Sequence, residues 1–385
     1  MTDTNKPIYL DYNSTTPVDP QVFSVMEPYF KTHFGNPASF THSWGWAARK
    51  GVEKAREQAA SLLNAKALEL TFTAGATESN NWVLFSLIEQ HRRDSPHEPL
   101  HILTSQVEHS SIIKPLQEAQ RRGVEVDFLK TNKYGQVDVD TVARALKPHT
   151  KLMSFIWVNN EIGSINPMKE LAQLAKEKKV YLHTDATQAV GKIPVDVQEV
   201  SVDLLSASAH KFYGPKGAGL LYMRSSQPRV SLPPFLYGGG QEHGHRSGTL
   251  NVPAIVGLGA AAELCQRLLP EESRRLTALR DSLWQGIQKR LPTARLNGHP
   301  SERSPINLNM TFPGKNIEQL LPKLGRLAFS QGSACHTGTL EVSPLLRALG
   351  LSSEDAQGTL RLSLGRWTTQ EELDIALEVL ARALN

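Results

Sequence analysis

The sequence predicts an α/β fold: a large domain on a mostly parallel sheet, followed by a smaller α+β domain. Three observations carry that prediction. Strand-like and helix-like segments alternate through the middle of the chain, the rhythm changes after about Gly257, and 385 residues with 40% hydrophobic and 21% charged side chains suffice for two cores. The same composition argues against disorder. A net charge of +4 is too small to imply nucleic-acid binding without a local patch.

The alternation begins with a strand over 68–73 and a helix over 78–92. A strand at 101–104 and a helix at 111–122 follow. The runs 124–129 and 151–157 are apolar, β-branched or aromatic and of strand length. Residues 168–178 place Leu171, Leu174 and Ala175 at helical spacing, and 180–184 is again a strand. Such βαβα order favours parallel strands with helices on both faces. The turn-rich Pro233-Pro234 and Gly238-Gly239-Gly240 precede the change of rhythm. Beyond it come a long helix towards Leu291, a strand at 306–312, a helix from Asn316, a strand at 359–364 and a final helix from Gln370. The boundaries expected are 16–256 for the large domain, with 1–15 and 257–385 forming the small one.

Two cysteines provide no disulfide framework, which suits a reducing compartment. The polar start, Met1 to Pro7, carries no signal-peptide pattern, and no uncharged apolar run approaches the ~20 residues of a membrane span. A cytoplasmic protein with no membrane and no nucleic-acid partner is expected. The cysteines differ in setting. Cys265 lies in an apolar run, as a packed cysteine does, whereas Cys335 lies in Ser330-Gln331-Gly332-Ser333-Ala334-Cys335-His336-Thr337-Gly338, among small and polar residues that suit a reactive thiol.

Four features fall at the ends of strands of the large domain, where open α/β sheets bind ligands. Thr73-Ala74-Gly75-Ala76-Thr77-Glu78 is a strand, a glycine turn and a helix start, a geometry that offers backbone N–H groups to a phosphate or serves as an ordinary helix cap. Asp185 ends an apolar strand, where a carboxylate needs a partner or caps a helix. Lys211, in Ser208-Ala209-His210-Lys211, sits among small residues that lower an amine's pKa, and Ser208 offers a hydroxyl. His109 lies just past a strand, placed to stack on a flat ring or simply to sit in a loop. A phosphate cradle, a carboxylate for a ring nitrogen, an aromatic ring and a Schiff-base lysine together match pyridoxal 5′-phosphate (PLP). The two histidines of Gln241-Glu242-His243-Gly244-His245 lack accompanying acids or cysteines, so no metal site is expected.

Along nearly its whole length the chain resembles cysteine desulfurases of the NifS/IscS type, within the class V PLP-dependent aminotransferase family. The matching runs are Tyr9-Leu10-Asp11-Tyr12-Asn13-Ser14-Thr15-Thr16-Pro17, Phe34-Gly35-Asn36-Pro37-Ala38-Ser39, Gly75-Ala76-Thr77-Glu78-Ser79, Val158-Asn159-Asn160-Glu161-Ile162-Gly163, Asp185-Ala186-Thr187-Gln188, His210-Lys211, Arg246-Ser247-Gly248-Thr249 and Gly332-Ser333-Ala334-Cys335. The resemblance implies fold type I of the PLP-dependent transferases, the aspartate-aminotransferase-like fold. It implies that Lys211 holds PLP, His109 stacks on its ring and shuttles a proton, Asp185 pairs with the ring nitrogen, and Gln188 bonds the phenolic oxygen. Ala76, Thr77, Ser208 and His210 would hold the phosphate. Thr249 would reach the phosphate of a partner subunit, making a homodimer with shared sites. Arg361, Asn160 and Asn13 would bind the substrate L-cysteine. Lys211 would take the Cα proton, and Cys335 would accept sulfur as a persulfide, leaving L-alanine. A sulfur acceptor or iron–sulfur scaffold protein is the implied partner.

The chain departs from the family pattern at Val107, often Thr, at Ala209, often Gly, and at His336, usually Ser or Thr. It also stops at Asn385, sooner than relatives dedicated to scaffolds, which leaves the acceptor open. Rival readings are another class V enzyme, such as a selenocysteine lyase, a cystine lyase or an aminotransferase, and a non-enzymatic sulfur carrier. An aminotransferase has no need of Cys335, and a carrier has no need of Lys211, Asp185, His109 and Arg361.

Overall fold

The computed structural model describes residues 7–226, 229–331 and 343–385. Its largest feature is a seven-stranded sheet. In spatial order the strands are Leu70–Thr73, Gly219–Met223, Leu204–Ser208, Tyr181–Asp185, Thr150–Ile156, His101–Ser105 and Glu125–Leu129. The last five run parallel, and Gly219–Met223 lies antiparallel to both of its neighbours. The predicted parallel core is therefore present, with one reversed strand near its edge. Its central strands are buried on both faces, as continuous apolar runs require. Helices Ala76–Asp94 and Ser110–Arg121 pack on one face through Trp82, Val83, Ile112 and Leu116. Helix Met168–Lys178 packs with Leu171 and Leu174 in the other, larger core.

Helix Val252–Arg290 is the long helix expected after the change of rhythm, and it starts five residues before Gly257. Its apolar half is long enough to cross a membrane by length and composition, yet Val252 to Cys265 is largely buried against helix Ser43–Leu63. Gly259 lets the two helices touch: a Cβ there would stand 2.4 Å from Ala55 Cα. Beyond it, strands Ser330–Gln331, Thr359–Ser363, Asn307–Thr311 and Arg295–Leu296 form an antiparallel sheet of four. Helix Gln370–Leu384 packs beside this sheet through Leu373, Leu380 and Leu384, started by Thr369 and Glu372 in a capping box.

The segment after Ile8–Tyr9 ties the two sheets together. Ile8–Tyr9 pairs with Leu327–Ala328, Asp11 bridges Ser363, and Thr16 N–H donates to His210 O at 2.9 Å.

Candidate active site

A cleft of about 1310 Å³ opens at the carboxyl ends of the parallel strands. Residues from seven segments meet there; turns after strands of the large sheet supply most of them, and Asn13 and Arg361 come from outside that sheet. Ala76, Thr77, His109, Asp185, Gln188, Ser208, His210, Lys211, Asn13, Asn160 and Arg361 all line it. Thr249 does not. It is exposed, at the end of a segment fixed by the buried pair Arg56–Glu242, whose contacts are 2.7 and 2.8 Å. Glu242, from the run weighed as a metal motif, also accepts from Phe72 N–H at 2.8 Å. Cys335 and its neighbour His336 lie outside the described residues.

The helix Ala76–Asp94 begins at Gly75 with no side chain capping it. Its first N–H groups therefore face the cleft without an internal acceptor, beside the hydroxyls of Thr77 and Ser208. Gly219 backs this turn closely: a Cβ there would be 2.5 Å from Gly75 Cα and 2.8 Å from Ala207 O. His210 Nδ1 is 3.1 Å from Thr15 Oγ1, and burial, with Lys211 and Lys216 adding to it, pulls its pKa down to about 4. His210 is thus a neutral hydrogen-bonding group.

Asp185 is buried at its strand end. Asn80 Nδ2 donates to its Oδ2 at 2.8 Å and Thr187 N–H to its Oδ1 at 3.0 Å. The strand is followed by a turn, so Asp185 caps no helix. The same Asn80 amide donates to Ser111 Oγ at 2.8 Å, and that hydroxyl lies 2.8 Å from His109 Nδ1. Ser111 N–H donates to His109 Nδ1 at 3.2 Å, which places the proton of the neutral ring on Nε2. Asn80 and Ser111 thus connect the carboxylate to the imidazole. Behind them Glu108 is buried and accepts from Ser105 Oγ at 2.5 Å. Burial, reinforced by Asp185, pushes its carboxyl up to about 8 and keeps it protonated at neutral pH.

Lys211 Nζ donates to Asn13 O at 2.7 Å and to Ser14 O. Burial first, then the Arg361 charge, pulls its pKa down to about 8, against the opposing carboxylates of Asp11 and Asp185. Arg361 lies on a central strand of the small sheet, not at a surface edge. Its Nη1 donates to Asn160 O and its Nη2 to Asp11 Oδ1, both at 2.8 Å, while its buried Nε has no acceptor. Its Nη2 also donates to Ser14 Oγ and Ser330 Oγ, both at 2.8 Å, so the guanidinium is fixed at the cleft wall, where its charge suits a carboxylate. Asn13 is buried, with its amide taken by Gln188 and Asn307, so its contribution runs through those residues. Cys265, the other cysteine, is buried with its Sγ 3.6 Å from Phe212 O and 3.8 Å from Arg366 Nη2, and burial pushes its thiol up to about 12.

These residues fit PLP: an uncapped helix start with hydroxyls for the phosphate, a buried carboxylate for the ring nitrogen, and a desolvated amine. Asn80, Ser111, Glu108 and Asp11 were not singled out from the sequence. Three of them lie within three residues of a recognised motif position, and Asp11 is inside one. Their roles come from contacts between distant segments.

The chain matches the description aminotransferase class-V over residues 8–376. It is 44% identical over 373 residues to a cysteine desulfurase IscS of Anaeromyxobacter sp. (strain K), covering 97% of this chain and 91% of the relative. Among solved structures, one described as a NifS-like protein superposes with a TM-score of 0.90 at 33% identity, covering 98% of this chain and 99% of its own. Another, described as SspA in complex with cysteine, gives a TM-score of 0.82 at 33% identity, over 94% of this chain and 99% of its own. The fold is that of the PLP-dependent enzymes of fold type I, and the chain belongs to the aminotransferase class-V family.

Proposed function

We propose that the protein is a cysteine desulfurase that uses PLP to remove sulfur from L-cysteine, leaving L-alanine. The observation that carries this reading is the meeting of Lys211, Asp185, His109 and Arg361 in one cleft with an uncapped helix start. When bound, PLP supplies an electron sink for chemistry at the substrate Cα. The chain's own groups do the rest. Arg361 holds the substrate carboxylate beside Asn160. The Lys211 amine, neutral in half of the molecules near pH 8, takes the Cα proton. His109, with its ring proton on Nε2, moves a proton at the cleft wall. The Cys335 thiolate attacks the substrate sulfur: an S–S bond forms as the substrate's Cβ–S bond breaks, and Cys335 is left as a persulfide.

The test is incubation with L-cysteine followed by mass spectrometry of the Cys335 peptide. One added sulfur, with one alanine released, is expected. Cys335→Ala that keeps the visible absorbance of bound PLP yet still releases sulfide at the normal rate would overturn the persulfide step.

We further propose a homodimer, supported by a group of exposed aromatic side chains near the amino terminus that includes Phe30, Phe34, Phe40, Trp44 and Trp46. In it Thr249 completes the partner's phosphate site. An acceptor protein then takes the sulfur from Cys335. The two-domain partition at residue 256 is supported by the separate sheets, and a cytoplasmic location by the scarcity of cysteine.

A further inference from the structure

Behind the cleft wall is a second lysine that the chemistry above does not use. Lys192 is buried, and its Nζ donates to Gln188 Oε1 at 2.6 Å. That oxygen also accepts from Asn13 Nδ2 at 2.8 Å, so both of its lone pairs are taken. Gln188 Nε2 donates to Asn13 O at 2.8 Å, which leaves one N–H on a residue that lines the cleft.

The polarity of this arrangement is set from outside. Arg303, which can only donate, reaches Asn307 Oδ1 at 3.3 Å. Asn307 Nδ2 donates to Glu161 O and to Asn13 Oδ1, both at 3.0 Å. Asn13 must then present its Nδ2 to Gln188. If the Gln188 amide turned over, its NH₂ would face Asn13 Nδ2 and Lys192, donor against donor.

We propose that Lys192 is a positioning residue: it holds Gln188 so that an N–H, never a carbonyl, faces the phenolic oxygen of the cofactor. The inference rests on the PLP site described above. A donor at that point favours the ionised form of the oxygen, which a carbonyl would repel. Burial, with the Lys211 charge adding to it, lowers the pKa of Lys192, so the donor is held there without a full buried charge.

Lys192→Met keeps the length of the side chain and removes the donor. Two readouts test it: the Kd of the cofactor-free protein for PLP by equilibrium dialysis, and the pH midpoint of the visible band of the loaded protein. Loss of one hydrogen bond to the amide predicts an affinity about tenfold weaker and a midpoint raised by about one unit. A merely structural lysine would not move the midpoint. A Lys192→Met protein within twofold of the parent in affinity, with an unchanged midpoint, overturns the proposal. If that variant does not fold, Gln188→Glu keeps a partner for Lys192 while removing the donor. It is expected to raise the midpoint in the same way, and an unchanged midpoint overturns the proposal. Failure of the unaltered protein to take up PLP would overturn the cofactor site itself, whereas normal uptake with indistinguishable variants overturns only the role of Lys192.

Discussion

Lys211 and Glu108 titrate near the same pH from opposite starting points. The Lys211 amine falls from 10.5 to about 8, and the Glu108 carboxyl rises from 4.5 to about 8. The rate at which cofactor-free protein captures PLP through Lys211 should therefore rise with pH and reach half its gain near pH 8, read by stopped-flow absorbance. Glu108 bears on stability. The folded state holds its proton up to about pH 8, while the unfolded chain releases it near 4.5, so its contribution is complete below 4.5 and is lost as pH rises to 8. Glu108→Gln should flatten the decline of Tm between pH 5 and 8, and an unchanged slope by calorimetry would refute the assignment. Arg361→Lys keeps the charge but loses the fork, and a KM for cysteine raised ~10- to 100-fold is expected from the loss of a charge-assisted hydrogen bond. At this scale the sequence discloses residues whose chemistry is unusual for their surroundings, such as Asp185 at an apolar strand end. It does not disclose Lys192, whose partner Gln188 stands four positions away in an ordinary turn.

Among the elements, the parallel strands His101–Ser105, Glu125–Leu129, Thr150–Ile156 and Tyr181–Asp185 were legible as apolar runs set off by turns or a helical period, whereas Leu204–Ser208, with no helical period after it, was not marked as a strand. The reversed strand Gly219–Met223 carries no such period, and its direction follows from pairing with Leu204–Ser208 and Leu70–Thr73. Helix Ser43–Leu63 was not anticipated. It opens with the exposed Trp44 and Trp46 and buries a stripe of small residues, Ala48, Ala55 and Ala59, in place of the usual large ones. The reversed strand also sets the position of the phosphate cradle, since Gly219 leaves room for Gly75. Gly219→Ala should displace that turn, weaken PLP binding and cost about 1–3 kcal/mol of stability, checked by dialysis and calorimetry. Full affinity in that variant would show that the turn is not held from below.

For the whole molecule, the exposed aromatic group is what the proposed dimer rests on. Phe34 is 65% exposed and its ring lies 5.0 Å from that of Trp44. Phe34→Glu combined with Trp46→Glu should shift the protein from dimer to monomer in sedimentation velocity and lower PLP retention. A monomeric parent would remove the proposed role of Thr249. Composition offered no hint of this surface, because a single chain's aromatic residues read as core until a fold leaves them outside.

The segment that ties the two sheets together has a consequence for biosynthesis. Asp11 pairs with Arg361, and Asn13 N–H with Ser363 Oγ, across 350 positions of sequence. The Asp11–Asn13 segment thus leaves the ribosome long before it can find its place. At roughly 5–20 residues per second its partners arrive on the order of tens of seconds later. The strands that carry Asp185 and Lys211 can pair during that interval. The guanidinium that would hold the substrate is missing until Arg361 has followed, so a nascent chain can assemble the cofactor half of the cleft before it can recognise an amino acid.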